Sequence, residues 1–180
     1  MKKDKGLIEY SLSLIFLMIC IFVVLLVFSY RRSIVERYYI EDGLAASTLA
    51  AAVIDTDIYG ETEDLIISNT DNAYMVFKQT LKTNLGLDDA FVPVNRTFMD
   101  SEVNVQEFRV YNVKDGLITE ILYDEHGNKQ MQVLGSGVLT PNGKEVESTT
   151  VYSKIEFDVK GYMNHVQRQT MEYCADVVKN

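Results

Sequence analysis

An unbroken apolar run near the N-terminus constrains this chain more than any other feature of its sequence. Within residues 12–28 every side chain is strongly apolar except those of Ser13 and Cys20. A helix rises about 1.5 Å per residue, so about 20 residues cross the hydrocarbon core of a bilayer. Residues 10–30 supply that length. The run therefore predicts a single transmembrane helix in contact with membrane lipid.

Aromatic and basic residues mark both ends of this span. Tyr10 and Tyr30 lie where interfacial aromatic side chains are expected, and Arg31 and Arg32 follow directly. A cleaved secretory signal is the alternative, but the run is longer than the usual signal core and no small-x-small cleavage site follows it. We therefore expect an uncleaved anchor whose interface residues are Tyr10, Tyr30, Arg31 and Arg32.

The orientation of the anchor rests on a short basic tail. Three lysines lie in residues 1–6 and three arginines in residues 31–37, so side-chain charge is balanced across the span. The very short tail also carries the α-amino charge, which favours a cytoplasmic N-terminus. We expect a single-pass protein of the cell membrane with its C-terminal domain outside the cytoplasm.

The charge of that domain excludes one class of partner. Of the 17 basic and 26 acidic side chains, six and three lie in residues 1–40, which leaves a net charge of -12 for residues 41–180. Such an acidic domain repels a phosphate backbone, so we predict no nucleic-acid binding. Cys20 lies within the apolar run and Cys174 lies in the C-terminal domain, so the two cannot pair within one chain. A disulfide framework is therefore excluded.

Helical sequence continues beyond the span. Residues 33–55 contain no proline and are rich in helix formers. Gly43 interrupts them, and Asp42 could cap a new helix, so one bent helix and two successive helices are both open. An apolar stripe able to cover a folded domain comprises Ile40, Leu44, Ala51 and Ile54, with Ser47 in the small slot.

Residues 56–180 have the pattern of a small α+β domain. Residues 70–86 predict a short amphipathic helix that Thr70 or Asp71 can cap and Gly86 can close. Alternating segments then predict four to six antiparallel strands in a meander, with the long N-terminal helix packed on one sheet face and the other face wet. The strand-like segments are 103–113, 117–125, 128–136, 149–160 and 170–179. In the last of them Cys174 falls on the polar side, which predicts a solvent-side or intermolecular thiol rather than a core one.

Catalytic and metal-binding patterns are missing from the sequence. His126 and His165 have no acid or cysteine at a catalytic or metal-ligand spacing. No HExxH, CxxC, GxSxG or Walker glycine loop occurs. We therefore expect no enzyme activity, no metal and no cofactor.

The N-terminal organisation resembles that of bacterial type IV pilin-like proteins, most closely the TadE-like pseudopilins of tight-adherence (Tad) pili. The residues that carry the resemblance are Lys5, Gly6, Glu9 and Tyr10, followed by the apolar helix, its amphipathic continuation and the strands. The resemblance implies cleavage between Gly6 and Leu7 by a pilin-type leader peptidase. It also implies that Glu9 compensates the new N-terminal amine of a neighbouring subunit.

One departure accompanies this resemblance. Only Leu7 and Ile8 separate the glycine from the glutamate, fewer residues than the family usually has. Three explanations are open: the spacing is relaxed in this chain, the chain is not processed, or the likeness is only to the general anchor design. It is also open that Glu9 lies in the headgroup layer and has no role. The implied organisation is a leader-like tail (1–6), an anchor (7–32), an amphipathic continuation (33–55) and an extracytoplasmic domain (56–180).

The function expected from this organisation is that of a pilin-like or pseudopilin-like structural subunit of a pilus or secretion assembly. Its partners would be other subunits, of the same or another kind, and the leader peptidase. The alternative is a signal-anchored extracytoplasmic module that binds a partner protein or a ligand.

Overall fold

The computed structural model describes residues 2–96, 99–160 and 166–178. The chain divides into two compact units, one ending at Tyr38 and the next beginning at Tyr39. Helix α1 (Lys2–Ala51) makes up the first unit and supplies the first residues of the second. Since α1 continues through Gly43, the alternative of two successive helices is wrong.

The first unit is an apolar helix whose described side chains are largely exposed. Within the described residues one helix is long and apolar enough to cross a membrane, and none of its most apolar stretch is buried. Side chains from Leu12 to Phe28 are exposed with few exceptions. The helix is thus compatible with a single-pass membrane anchor, as the apolar run predicts.

The second unit has two further helices, α2 (Thr56–Thr62) and α3 (Thr70–Leu85). The predicted short helix corresponds to α3, which ends at Gly86 in the left-handed conformation (φ 61°), as expected. Its cap is Asn69 rather than Thr70 or Asp71: the Asn69 side chain accepts a hydrogen bond from the Asn72 amide at 3.0 Å. Thr70 is the first residue of the helix and is buried.

Helix α2 is an element that the sequence patterns did not single out. It is only seven residues long and buries none of them, so no apolar periodicity marks it. Its start is fixed by Asp55, whose side chain accepts hydrogen bonds from the amides of Asp57 and Ile58.

Five antiparallel strands follow: β1 (Asn104–Lys114), β2 (Leu117–Asp124), β3 (Lys129–Leu134), β4 (Thr150–Lys160) and β5 (Val166–Asp176). They form one sheet in the order β3-β2-β1-β4-β5. The α+β class is therefore confirmed. The meander holds within β1 to β3 and again from β4 to β5, whereas the connection 135–149 returns the chain to place β4 beside β1.

The first hairpin illustrates how local sequence determines this topology. Asp115 and Gly116 connect β1 to β2, and both have positive φ (51° and 75°). A two-residue loop with positive φ at both positions has the twist that antiparallel strands need. Aspartate and glycine tolerate that conformation better than other residues, which explains the turn at this position.

Helices α1 and α3 supply the main core together with one face of the sheet, here called the helix-side face. Alternation along β4 turns Val151, Ile155, Phe157 and Val159 toward this core, as predicted. The strands also meet α1 through a polar contact, since the Ser153 and Thr48 hydroxyls lie 2.5 Å apart and both are buried.

The opposite face, here called the far face, is not the wet surface expected from strand alternation. A second cluster of buried residues lies there: Tyr111, Ile118, Val146 and Tyr152. Val146 belongs to the 135–149 connection, which covers part of this face. Strand periodicity alone could not reveal this cover, because the connection lacks an apolar repeat.

Cys174 lies on the far face, as its position in β5 predicts, and it is partly covered there. The residue is half-buried and packs against the second cluster. Its Sγ donates a hydrogen bond to Asn142 Oδ1 at 3.5 Å. The thiol is therefore more enclosed than strand alternation indicates, because Asn142 of the 135–149 connection lies beside it.

Candidate functional site

The predicted assembly residue lies at the start of the apolar helix surface. Glu9 is exposed on α1, and the adjacent Tyr10 is 72% exposed. The Ser13 hydroxyl donates to the Glu9 carbonyl oxygen at 2.9 Å, one helical turn along. Among residues whose side chains are described, none forms an ion pair with Glu9. Gly6 and Leu7 lie within α1, in the stretch whose side chains are outside the described part.

The other end of the span carries the remaining predicted interface residues. Tyr30 and Arg31 are exposed, and Arg32 Nε donates to Glu36 Oε1 at 2.7 Å. Tyr10 and Tyr30 are separated by about 30 Å along an ideal helix, which equals the thickness of a bilayer hydrocarbon core. The structure thus places the four anchors in two groups at opposite ends of the apolar surface.

A salt-bridge network on the far face of the sheet was missed by sequence reasoning. Arg109 binds Glu107 (Nη2 to Oε2, 2.6 Å) and Glu120 (Nη1 to Oε1, 2.7 Å), while Gln132 donates to the other Glu120 oxygen. The Glu120 side chain is only 5% exposed. Alternation along β1 places Glu107 and Arg109 on one face, but finding Glu120 required the register between β1 and β2.

Charge is well matched within this network. Burial alone would raise the pKa of the Glu120 carboxyl, but hydrogen bonds from Gln132 and Arg109 outweigh it and lower that pKa. Burial alone would also lower the pKa of Arg109, yet Glu120 and Glu107 raise it. Both groups are therefore charged at neutral pH and hold each other in place. The network links β1, β2 and β3. Neither Glu120 nor Arg109 has a pKa near 7, so neither is suited to proton transfer at neutral pH.

Two tyrosines extend the same face toward β5. The Tyr152 hydroxyl donates to Glu172 Oε2 at 2.6 Å. Burial raises the pKa of Tyr152, as does the Glu172 carboxylate. Burial likewise raises the pKa of Tyr111, beside the Glu120 charge. Both phenols thus stay neutral and serve packing.

An open polar cleft of about 460 Å³ lies at one end of the sheet. Arg168 is one of its lining residues and binds Asp158 (3.2 Å) and Glu156 (3.4 Å). The Arg168 hydrogen bond lowers the pKa of Asp158, so this carboxyl is not a proton donor at neutral pH. His126 Nε2 lies 3.5 Å from Glu125 in an exposed turn.

Metal ligands do not converge in the described part of the chain: no group of three or more histidine, cysteine or acidic side chains there could hold an ion. His165 lies outside the described residues. Comparisons of this chain with family models, curated proteins and solved structures give no match.

Proposed function

We propose that this chain is a membrane-anchored, non-catalytic structural subunit of a pilin-like or pseudopilin-like assembly in a bacterial pilus or secretion system. The observation that carries the proposal is that Glu9 is exposed at the N-terminal end of the apolar part of α1. An ionised carboxylate at the hydrocarbon edge costs several kcal/mol unless an opposite charge matches it. The free amine of a neighbouring processed subunit supplies that match and fixes its register.

The less apolar residues of the span support a helix–helix contact on the same side. At about 100° per residue, Ser13 and Cys20 lie within about 40° of Glu9 around the helix axis. Small and weakly polar side chains allow helices to approach closely in a membrane. A neighbouring helix on this stripe would meet Glu9 at its end.

Orientation and processing form part of the proposal. The short basic tail stays in the cytoplasm, a pilin-type leader peptidase cleaves between Gly6 and Leu7, and the domain lies outside the cytoplasm. The partners are lipid and other subunits of the assembly. Nucleic acid is excluded by the acidity of the domain.

The role of Glu9 is tested by exchanging it in the full chain. We expect Glu9→Ala to insert into the membrane normally but to be lost from the assembled complex, because its partner amine would remain unmatched. Glu41→Ala is the matched control, since Glu41 is an exposed glutamate of the same helix beyond the apolar run. Co-purification of Glu9→Ala with assembly partners at the wild-type level would contradict the proposal.

The alternative function is a signal-anchored module that binds a ligand or a partner protein. The polar cleft around Arg168 favours it, because four acidic side chains (Glu102, Glu125, Glu156 and Asp158) line an open volume. A binding module requires no processing, so an intact Met1 together with wild-type behaviour of Glu9→Ala would favour this alternative.

A further inference from the structure

Strand β3 ends the described sheet on one side and has an unprotected edge. Among the described residues it pairs only with β2, through a continuous register from Tyr123 opposite Lys129 to Ile118 opposite Leu134. Its sequence, KQMQVL, contains no proline, and its pairing has no bulge. Native edge strands usually carry such features, or charged side chains, to prevent pairing with another chain. The only charged residue of β3 is Lys129, at its first position.

Two exposed apolar side chains extend the helix-side face to this edge. Met131 is 70% exposed and Val133 is 67% exposed. The register places Met131 opposite the buried Ile121 and Val133 opposite Thr119. An apolar strip therefore runs from the core to the open edge. Single exposed apolar residues are common, but two on one face of an open edge strand form a surface suited to strand addition.

The charge of strand β3 does not oppose a second copy of this chain at that edge. Residues 41–180 carry a net charge of -12, so two copies repel each other over most of their surfaces. β3 has no acidic residue, and its one charge, Lys129, is paired with Asp71 at 3.0 Å. The opposite edge strand, β5, carries Glu172 and Asp176. Of the two edge strands of the described sheet, β3 is therefore the one at which two copies meet with less repulsion.

We propose that β3 of one copy pairs antiparallel with β3 of a second copy about a twofold axis through Gln132. Directly opposite residues share a face in an antiparallel pair. This register sets Met131 against Val133 of the second copy, and Val133 against its Met131, so both exposed side chains become covered. It also sets Gln132 against Gln132, and the two sheets become one continuous sheet.

Neighbouring registers that keep the faces aligned fit less well. A twofold axis through Met131 places Lys129 against Val133 of the second copy. An axis through Val133 places Met131 against Gly135, beyond the end of the strand. Only the axis through Gln132 covers both apolar side chains with apolar partners.

Disulfide formation in the full chain in detergent micelles tests the pairing. In a cysteine-free background (Cys20→Ala, Cys174→Ala), Gln132→Cys places two thiols on residues whose Cα atoms lie about 4.5–5.5 Å apart across the new pair. That separation suits a disulfide. Thr170→Cys is the matched control, because Thr170 is exposed on the same face of the opposite edge strand. Each variant is first required to keep the wild-type circular dichroism spectrum.

We expect Gln132→Cys to form a covalent dimer at least about tenfold faster than Thr170→Cys, because paired thiols react at a high effective concentration. Adding Val133→Lys should reduce that rate to the control level, whereas Leu139→Lys, at an exposed residue outside β3, should not. Equal rates for Gln132→Cys and Thr170→Cys, or no effect of Val133→Lys, would overturn the proposal. Faster linkage between Gln132→Cys and Thr170→Cys chains would also overturn it, since β3 would then pair with β5.

Discussion

Gly43 of α1 and Leu85 of α3 approach so closely that a Cβ at residue 43 would lie 2.5 Å from Leu85 Cδ2. Leu85 is 3% exposed and belongs to the main core. Two hydrogen bonds accompany the contact: Tyr39 donates to the Asn84 carbonyl at 2.9 Å, and the Asn84 amide donates to Ser47 at 3.4 Å. The glycine that seemed to interrupt α1 is therefore a point of close packing between the two helices.

Gly43→Ala should destabilise the protein even though alanine is the better helix former. The helix gains about 1 kcal/mol from the substitution, while overpacking of a core costs about 1–3 kcal/mol. We expect a net loss of about 1 kcal/mol in the free energy of unfolding, measured by denaturant titration. In a Leu85→Ala background the same substitution should be neutral or stabilising. An equal loss in both backgrounds would show that Leu85 is not the cause.

The C-terminal part of α1 should be essential to the folded domain, and the apolar part should not. Ile40, Leu44 and Ala51 are buried in the main core. Loss of a large core side chain such as that of Ile40 or Leu44 lowers the free energy of unfolding by about 2–5 kcal/mol. A domain has only about 5–15 kcal/mol of stability in total. We expect a fragment of residues 39–180 to unfold cooperatively and a fragment of residues 52–180 to lack a cooperative transition. Circular dichroism melts distinguish them, and cooperative unfolding of the shorter fragment would contradict this assignment of the core.

The Arg109 network should make stability depend on pH with a predictable sign. The folded-state pKa of Glu120 is lowered from its ordinary value of 4.5. The unfolded state therefore binds more protons in this range, and the stabilisation by Glu120 is present above pH 4.5 and is lost as the pH falls through the lowered folded-state pKa. Urea titrations of the full chain at pH 7 and pH 3 should show this loss.

Arg109→Met should reverse that dependence and cost about 2–3 kcal/mol at pH 7, because Glu120 then remains buried beside Glu107 without its cation. Its deficit relative to wild type should shrink at pH 3, where protonation relieves the repulsion. Arg168→Met is the control: its ion pairs are exposed, so its loss should change stability much less than the loss of Arg109. A deficit of Arg109→Met that is the same at both pH values would contradict the proposed role of Glu120.

Cys174 should react slowly with thiol reagents. Burial raises the pKa of its thiol and the second cluster covers it in part, so little thiolate is present at neutral pH. In a Cys20→Ala chain we expect alkylation of Cys174 at pH 7.5 to be at least about tenfold slower than alkylation of Thr170→Cys in the cysteine-free chain. Denaturant should abolish the difference. Equal rates in the native state would indicate an exposed thiol.

Local sequence patterns were sufficient for the elements with strong periodicity. The apolar run, the stripe of α1 from Ile40 to Ala51 and the alternation of β4 predicted a helix, its buried face and a sheet face that the structure contains. The expected continuation of the stripe to Ile54 is wrong, because α1 ends at Ala51. The close packing at Gly43 was not predictable, because it depends on where α3 crosses α1.

Features that depend on contacts between distant parts of the chain could not be predicted from local sequence patterns. Cover of the far face arises from the 135–149 connection, and the Arg109 network requires Glu120 from another strand. Helix α2 is short and exposed, so it leaves no apolar signal. For the candidate site, the sequence indicated Glu9 and the tyrosines at both ends of the span, and the structure adds their exposure on one helix.

The most direct test of the pilin-like proposal is the N-terminal residue of the mature protein in the membrane. The full chain is produced in a bacterium that expresses a pilin-type leader peptidase, and the membrane form is analysed by N-terminal sequencing and intact mass. A Gly6→Leu chain, which lacks the glycine at the cleavage position, serves as the unprocessed control. The account predicts a mature chain that begins at Leu7. A chain that retains Met1 under these conditions would contradict it.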